Sequence, residues 1–414
     1  MSLSRLIFLI LAVSNLCRGN ETSVIWREGF PAALREAQAA KKPLFVTFRC
    51  LPCKQCAAFD KNVLEGGPKL TPLLSQFITV RITDAAQLDG KYFPYRTHQD
   101  LDLSWWGYFM SPDGGVYGVF GGKDHVSDST RISEEALVNT MNRILVHHRK
   151  GGDIITEKHD PKKPTELEAY DQFAKPRSHV RQQACLHCHQ VNDILTTESI
   201  ESGTFTKAKL MERWPLPENT GMILDRDHGL KVVDIVAGSP AEKAGIKTGD
   251  ELIYLEGTHL FSQADLRGAL HRADSGATNL QVAWLRNGAP GSREIAVDAG
   301  WKTTENWWRK SIYDGVVGPY LGFFPLQGRG QGKGSLSVKP FMGKDAKNSP
   351  WWASGLRPNH EIIEINGRSD DWNTRQFLTW FRLNHEVGDA VTLKVKSSGK
   401  VETITGKIPP PESN

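Results

Sequence analysis

The apolar run Pro43-Leu-Phe-Val-Thr-Phe48 passes almost directly into Cys50-x-x-Cys53-x-x-Cys56, and far downstream Cys185-Leu-His-Cys188-His189 forms a second cluster. Five of the six cysteines therefore lie in two compact motifs, and this constrains the chain more than any bulk property. A thiol at the start of a helix is held partly as thiolate, because the unsatisfied N–H groups and the helix dipole favour negative charge there. Cys-x-x-Cys-His points to covalent haem: two thiols on adjacent turns add to the two vinyl groups, and the following histidine ligates iron.

Export is the expected context. Arg5 precedes the apolar run Leu6 to Val13, and Cys17-Arg18-Gly19 offers small residues at the cleavage offsets, so residues 1–19 read as a signal peptide. The run is far shorter than the ~20 residues that span a bilayer, so no transmembrane span is expected. A lipid attached at Cys17 would want a small residue before it, and Leu16 stands there. The sequence thus predicts an exported protein of the periplasm or cell envelope. Without Cys17 an odd number of cysteines remains, which does not suit a scaffold of structural disulfides. Net charge is +4 with the basic residues dispersed, so nucleic acid is not an expected partner.

The 414 residues allow about three domains at ~150 residues each. Residues 20–150 read as one α/β unit: a helix over Pro31 to Ala40, a strand over Leu44 to Phe48 and a cysteine-headed helix ending near Leu64. A strand over Phe77 to Ile82 follows, then a hairpin of Trp106 to Met110 and Val116 to Phe120 around Ser111-Pro-Asp-Gly-Gly115. A closing helix from Ser133 to His147 carries Ala136, Leu137, Met141 and Leu145 on one face. This order, with Phe48 five residues before Cys53, resembles thioredoxins. The resemblance implies that Cys53 is the nucleophile and Cys56 the resolving thiol, and leaves Cys50 as an extra cysteine. Cys50 is an alternative resolving thiol, a ligand to Cu(I) or zinc, or a small buried strand end. Thioredoxins place a cis-proline just before the third strand, where this chain has Leu103-Ser104-Trp105. An inert disulfide in a thioredoxin-shaped binding domain is the alternative.

Residues 151–217 are polar and contain Pro161, Pro164 and Pro176, the composition of a linker around a small helical module. Helices are expected over Ala184 to Leu195 and Phe205 to Trp214. Haem c would be held by Cys185, Cys188 and His189, near Phe173, Phe205 and Trp214, with a sixth ligand among Met211, Met222, His187 and His179. The alternatives are a zinc site of His187, His189 and both thiols, or a plain dithiol.

Residues 218–300 change pattern: a strand over Leu230 to Val236, Gly238-Ser-Pro-Ala-Glu-Lys-Ala-Gly245, a strand ending at Leu255, and a capping box Ser262-Gln-Ala-Asp265 opening an amphipathic helix. This resembles a bacterial PDZ domain. Residues 301–410 repeat the plan with Tyr320-Leu-Gly-Phe323, Glu361-Ile-Ile-Glu-Ile-Asn-Gly367 and a helix over Thr374 to Leu383, after a Gly-rich insertion Gly328 to Gly334. The PDZ resemblance implies grooves that take a peptide as an added strand with its C-terminal carboxylate on backbone N–H groups. The matching loops are Gly221, Met222 and Ile223 in the first copy and Leu321, Gly322 and Phe323 in the second. The groove helices would present Leu266 and Leu270, or Phe377 and Phe381. Grooves filled internally are the alternative. No Gly-x-Ser-Gly-Gly stretch precedes them, so a serine protease is not expected.

The expected fold class is multidomain α/β and α+β: a thioredoxin-like domain, a small helical Cys-x-x-Cys-His module and two PDZ-like domains. Together these parts resemble a family of bacterial exported proteins that combine a thioredoxin-like domain with PDZ domains, some members carrying selenocysteine. The resemblance implies an exported thiol-disulfide or electron-transfer protein with peptide-binding PDZ domains, acting on exported proteins or C-terminal peptides with a redox partner. The other expectation is a non-catalytic PDZ scaffold whose cysteine clusters are structural or bind zinc or copper. A polar linker would leave the domains to act independently.

Overall fold

The computed structural model describes residues 24–49, 54–65, 67–123, 132–155, 188–304, 307–327, 338–341, 347, 349–370 and 373–410. The expected signal peptide, Cys50, Cys53, Phe173, His179, Cys185, His187 and the Gly-rich insertion lie outside the described residues.

The N-terminal domain is built on β1 (Leu44–Phe48), whose five residues are all buried, as a strand covered on both faces requires. It pairs parallel with β2 (Ile78–Ile82) and antiparallel with β3 (Ser104–Met110), which pairs with β4 (Val116–Lys123), giving the order β2-β1-β3-β4. Helix α1 (Phe30–Ala40) buries Phe30, Ala33 and Ala37 on one sheet face, and Pro31 suits its first turn. Helix α2 (Lys54–Phe59) runs on as a π-helical turn over Asp60–Leu64. Together with α3 (Glu134–Arg149) it covers the other face, joining Phe45, Cys56, Phe59, Leu137 and Met141 in one core. Ser133 caps α3, its Oγ accepting from the Ala136 N–H at 3.1 Å, with Glu134 and Glu135 at the positive end of the dipole.

Helix α4 (Cys188–Glu201) follows, and then the middle domain: the pair β5 (Met222–Leu224) and β6 (Val232–Ile235), and a sheet formed by β7 (Glu251–Leu255), β8 (Thr258–His259), β9 (Thr278–Arg286) and β10 (Ala289–Val297). Helix α5 (Gln263–Arg272) starts on the expected Ser262/Asp265 capping box. The C-terminal domain has the sheet β11 (Phe324–Gln327), β12 (Val338–Phe341), β13 (Glu361–Ile365), β14 (Ala390–Ser397) and β15 (Lys400–Lys407), and helix α6 (Thr374–Asn384) on an Asn373/Gln376 capping box. The register shifts within β7 between Leu252 and Tyr254 and within β13 between Ile362 and Glu364, so the two domains share even a bulge.

The expectation of independent domains on a polar linker is not met. Val191 and Ile194 of α4, Ala264 of α5 and Trp308 join the core cluster of the N-terminal domain. Arg309, with no exposed side-chain surface, donates to both carboxylate oxygens of Asp100 at 2.7 and 2.9 Å and to Asp102 at 3.2 Å. Asp102 also accepts from the Ser311 N–H and Oγ and from Asn192 Nδ2. The capping box of α5 reaches across as well: the Val119 N–H donates to Asp265 Oδ1 at 2.8 Å, and Ser262 Oγ donates to the Val119 carbonyl. The edge of β4 is thereby satisfied by another domain's helix cap, which closes an edge otherwise open to pairing. Gly118 permits the contact, since a Cβ there would lie 2.7 Å from the Phe261 ring. Polar sequence between the domains says nothing of these partners, because each is an ion pair or cap completed only across the interface.

Candidate functional site

Phe48 ends β1 with its ring edge-on to Phe93 and Tyr108, and the chain re-emerges in α2 with Cys56 in its first turn. Cys56 is fully buried in the core with Phe59 and Trp105. One turn later stands Asp60, also buried, at the start of the π-helical turn. Its Oδ1 accepts from Trp105 Nε1 at 3.1 Å, and its Oδ2 lies 3.1 Å from Arg49 Nε and 3.5 Å from Arg81 Nε. Burial pushes the Asp60 carboxyl upward, against the Trp105 hydrogen bond and the two arginines. Sequence reasoning passed over Asp60; its spacing of four from Cys56 was the available signal.

Trp105 occupies the position expected for a cis-proline in thioredoxins, and its φ of 61° is a left-handed conformation that a non-glycine residue adopts at a cost of about 1–3 kcal/mol. Gly121 accommodates it, since a Cβ there would sit 2.5 Å from the Trp105 carbonyl oxygen. The Trp105 ring then lies 4.4 Å from that of Phe59, roofing the helix that carries Cys56.

Cys188 of the second cysteine motif meets the same end of the sheet. Phe48 faces Trp106 in the antiparallel β1/β3 register, so the loop Gln99–Leu103 before β3 lies where β1 runs out toward α2. Cys188, half-buried at the head of α4, accepts from Gln99 Nε2 at 3.6 Å, and Tyr108 holds Gln99 by donating to its Oε1 at 2.8 Å. His189 is half-buried beside it. The donor chemistry of two thiols and an imidazole suits haem c or zinc. Of the aromatic and sulfur residues expected near it, Trp214 stacks on His271 at 4.6 Å, and Met222 is fully buried in the middle-domain core. Among the described residues no three His, Cys, Asp or Glu side chains gather to hold a metal ion.

The grooves differ from expectation in their helix residues. Leu266 and Leu270 are fully buried in the middle-domain core with Met222, and the side chains of α5 that face the adjoining cleft are Gln263 and Arg267. The neighbouring helical position faces a different way, so the apolar stripe marks the core and its flank marks the groove. The cleft, of about 590 Å³, is bordered also by Pro217, Leu224 and Val233. Gly221 has a φ of 93°, donates to the Glu218 carbonyl and accepts from the Val236 N–H. Ile223 pairs with Asp234 on β6, and among the described residues no strand covers the other edge of β5.

In the C-terminal domain, Leu321, Gly322 and Phe323 do border a cavity, of about 430 Å³, opposite Leu378, Phe381 and Arg382 of α6. Phe377 points instead into the core. The Trp351 indole donates to the Leu321 carbonyl, and Gly322, at φ 77°, leaves room that a Cβ would take from Pro409. Arg382 donates to the carbonyls of Ile312 and Gly315. Asp193 of α4 forms part of the same wall; burial pushes its carboxyl up to about 7, with Asp102 adding to the rise and a hydrogen bond from the Val316 backbone opposing it.

Residues 25–103 match the thioredoxin-like family and residues 211–297 match the PDZ domain family, so the chain combines a thioredoxin-like domain with a PDZ domain. The periplasmic pH-dependent serine endoprotease DegQ of Escherichia coli (strain K12) is 31% identical over 143 residues, which cover 34% of this chain and 29% of that protein. The serine protease Do-like HtrA of Bacillus subtilis (strain 168) is 34% identical over 70 residues, covering 17% of this chain and 16% of that protein. A serine endoprotease structure from Yersinia pestis is 25% identical with a TM-score of 0.16, covering 16% of this chain and 25% of its own. The chain spans less than a third of the length of these curated relatives, and the likeness lies in the PDZ portion.

Proposed function

We propose that this chain is an exported thiol-disulfide exchange protein whose PDZ grooves hold the client peptide near the redox pair. The observation that carries the reading is Cys56, buried in the first turn after the central strand, with the buried Asp60 carboxyl one turn beyond it. In the proposed cycle the Cys53 thiolate attacks a client disulfide, a Cys53–client bond forms, and the released client sulfur takes a proton. Cys56 then gives its proton to Asp60 and attacks the Cys53 sulfur, so the client leaves as a dithiol and the pair becomes a disulfide. A carboxyl raised by burial is a better proton acceptor near neutral pH than an ordinary aspartate. An exported redox partner returns the pair to the dithiol.

The C-terminal domain is read as a second PDZ domain, on its matching capping box, its matching bulge and a loop-bordered cavity. The reading also includes haem c, which Cys185, Cys188 and His189 would hold and which would supply one-electron chemistry; no thiol step depends on it. A scaffold reading, with structural or zinc- or copper-holding cysteines, is favoured by the strained Trp105 where thioredoxins contact substrate.

Alkylation of the reduced protein near pH 7 separates the readings. Exchange chemistry expects Cys53 to react well before Cys56, and Cys56→Ser to trap mixed disulfides with clients. Equal labelling, or protection of the cysteines by bound metal, sinks it. An absorption spectrum after expression with haem maturation machinery decides the cofactor: a Soret band supports haem c, and colourless protein with one zinc removes it.

A further inference from the structure

The cavity of the C-terminal domain is walled by two opposite charges that come from different parts of the chain. Arg382 of α6 is 7% exposed and spends one terminal nitrogen, Nη1, on the carbonyls of Ile312 and Gly315 at 2.8 and 3.1 Å. Among the described residues no group accepts from its Nε or Nη2, nor from the N–H groups of Leu321 and Gly322 on the facing loop. Guanidinium and amide donors suit a carboxylate, and the apolar part of the wall, Phe323, Leu378 and Phe381, suits the side chain beside it.

The carboxyl group of Asp193 borders the same space from α4, a helix whose Val191 and Ile194 are anchored in the N-terminal core. A cavity of about 430 Å³ is comparable in width with the ~8–10 Å Debye length, so an anion inside it feels Asp193 with little screening. The other groups around Asp193 leave it decisive. Asp314 is exposed and paired with Lys310, and Asp102 is held by Arg309, Ser311 and Asn192. Burial raises the phenols of Tyr313 and Tyr320, which stay neutral. Val316 offers a backbone N–H, and His189 stands one turn back on α4. With burial and then Asp102 raising it to about 7, Asp193 changes charge across neutral pH.

We infer that Asp193 sets the anion affinity of this cavity: carrying a proton, it lets a peptide carboxylate sit against Arg382 and the Leu321–Gly322 loop, and ionised, it repels that carboxylate. The inference rests on the reading of the C-terminal domain as a second PDZ domain and adds a control supplied from outside it. Two carboxylates in one small space do not both stay ionised, so above pH 7 a binding peptide brings a proton with it.

The test uses the full chain and fluorescent octapeptides ending in valine, leucine or phenylalanine, each as free acid and as C-terminal amide. Affinities are read by anisotropy at pH 6 and pH 8. The free acids should bind about tenfold tighter at pH 6, the change given by a group titrating near 7 when only its neutral form admits the ligand. The amides should show no such change. Asp193→Asn should bind the free acids at both pH values as the unaltered chain does at pH 6. Equal affinity at the two pH values, or a pH effect that survives Asp193→Asn, overturns the inference while the groove reading stands; binding by no peptide at either pH overturns both. If Asp193→Asn does not fold, calorimetry of the unaltered chain in buffers of different ionisation enthalpy decides. Uptake of about one proton per peptide at pH 8, and far less at pH 6, is expected, and no uptake at pH 8 rejects the role of Asp193.

Discussion

The middle and C-terminal domains carry the same local code and meet different fates. Each has a bulged strand, a capping box, a groove-side helix and a closing hairpin. Helix α5 is buried at every residue from Ala264 to Leu270, because its cap and outer flank dock on β4 and the Asp100 network. Helix α6 keeps Thr374, Arg375, Gln376 and Trp380 partly exposed, and its capping box is made between Asn373 and Gln376 of the helix itself. The difference shows that the same supersecondary unit docks more deeply on its neighbour where its helix cap finds a second use. It also gives the two clefts unlike walls, a buried arginine in one and a half-buried aspartate in the other.

The largest expected effect comes from unpicking the junction that distinguishes them. Arg309→Met strands Asp100 as a buried carboxylate without its bidentate partner, and should cost about 3–5 kcal/mol in the unfolding of the thioredoxin-like and middle domains. Denaturant unfolding followed by tryptophan fluorescence measures this. A loss below about 1 kcal/mol would mean that the domains do not lean on each other, and the comparison would collapse.

A smaller pair of changes sharpens the contrast. Asp265→Ala removes a helix cap and leaves the Val119 N–H of β4 unpaired, so about 2 kcal/mol is expected. Asn373→Ala removes a cap alone, and about 1 kcal/mol is expected. Equal losses would show that the cross-domain half of the first cap contributes nothing.

The smallest effect is a slope with pH. Asp193 is raised from 3.8 to about 7 in the folded chain, so the folded state keeps a proton that the unfolded state releases between those values. Its contribution to stability is therefore complete below about pH 4 and is lost as pH rises through 7. Asp193→Asn should flatten that part of the melting-temperature profile for the C-terminal domain. A profile unchanged by the substitution would remove Asp193 from the list of groups that tie α4 to the second groove.

Local pattern was enough for much of the molecule, and the reason is range. The mostly apolar run at β1, the 3.6-residue stripe of α3 and the Ser262/Asp265 box are fixed by contacts within one turn or one strand, so their residues announce them. The same holds for the thioredoxin-like and PDZ identities, which rest on short motifs in order. Leu266 and Leu270 show the limit: periodicity finds the apolar stripe, but only the packed domain shows that the stripe is core and that Gln263 and Arg267 border the cleft.

What the tertiary structure alone decided is everything held by partners far apart in the chain. Arg309 lies over 200 residues from Asp100, Asp265 lies 146 from Val119, and Cys188 lies 89 from Gln99. An isolated buried charge or an open strand edge is unfavourable in any local reading, and becomes stable only when folding delivers its counterpart. That is why the sequence announces two cysteine motifs and a repeated plan of strand, capping box and helix, while the placement of Cys188 at the β1 end of the sheet and the sealing of α5 against β4 follow from the packed chain.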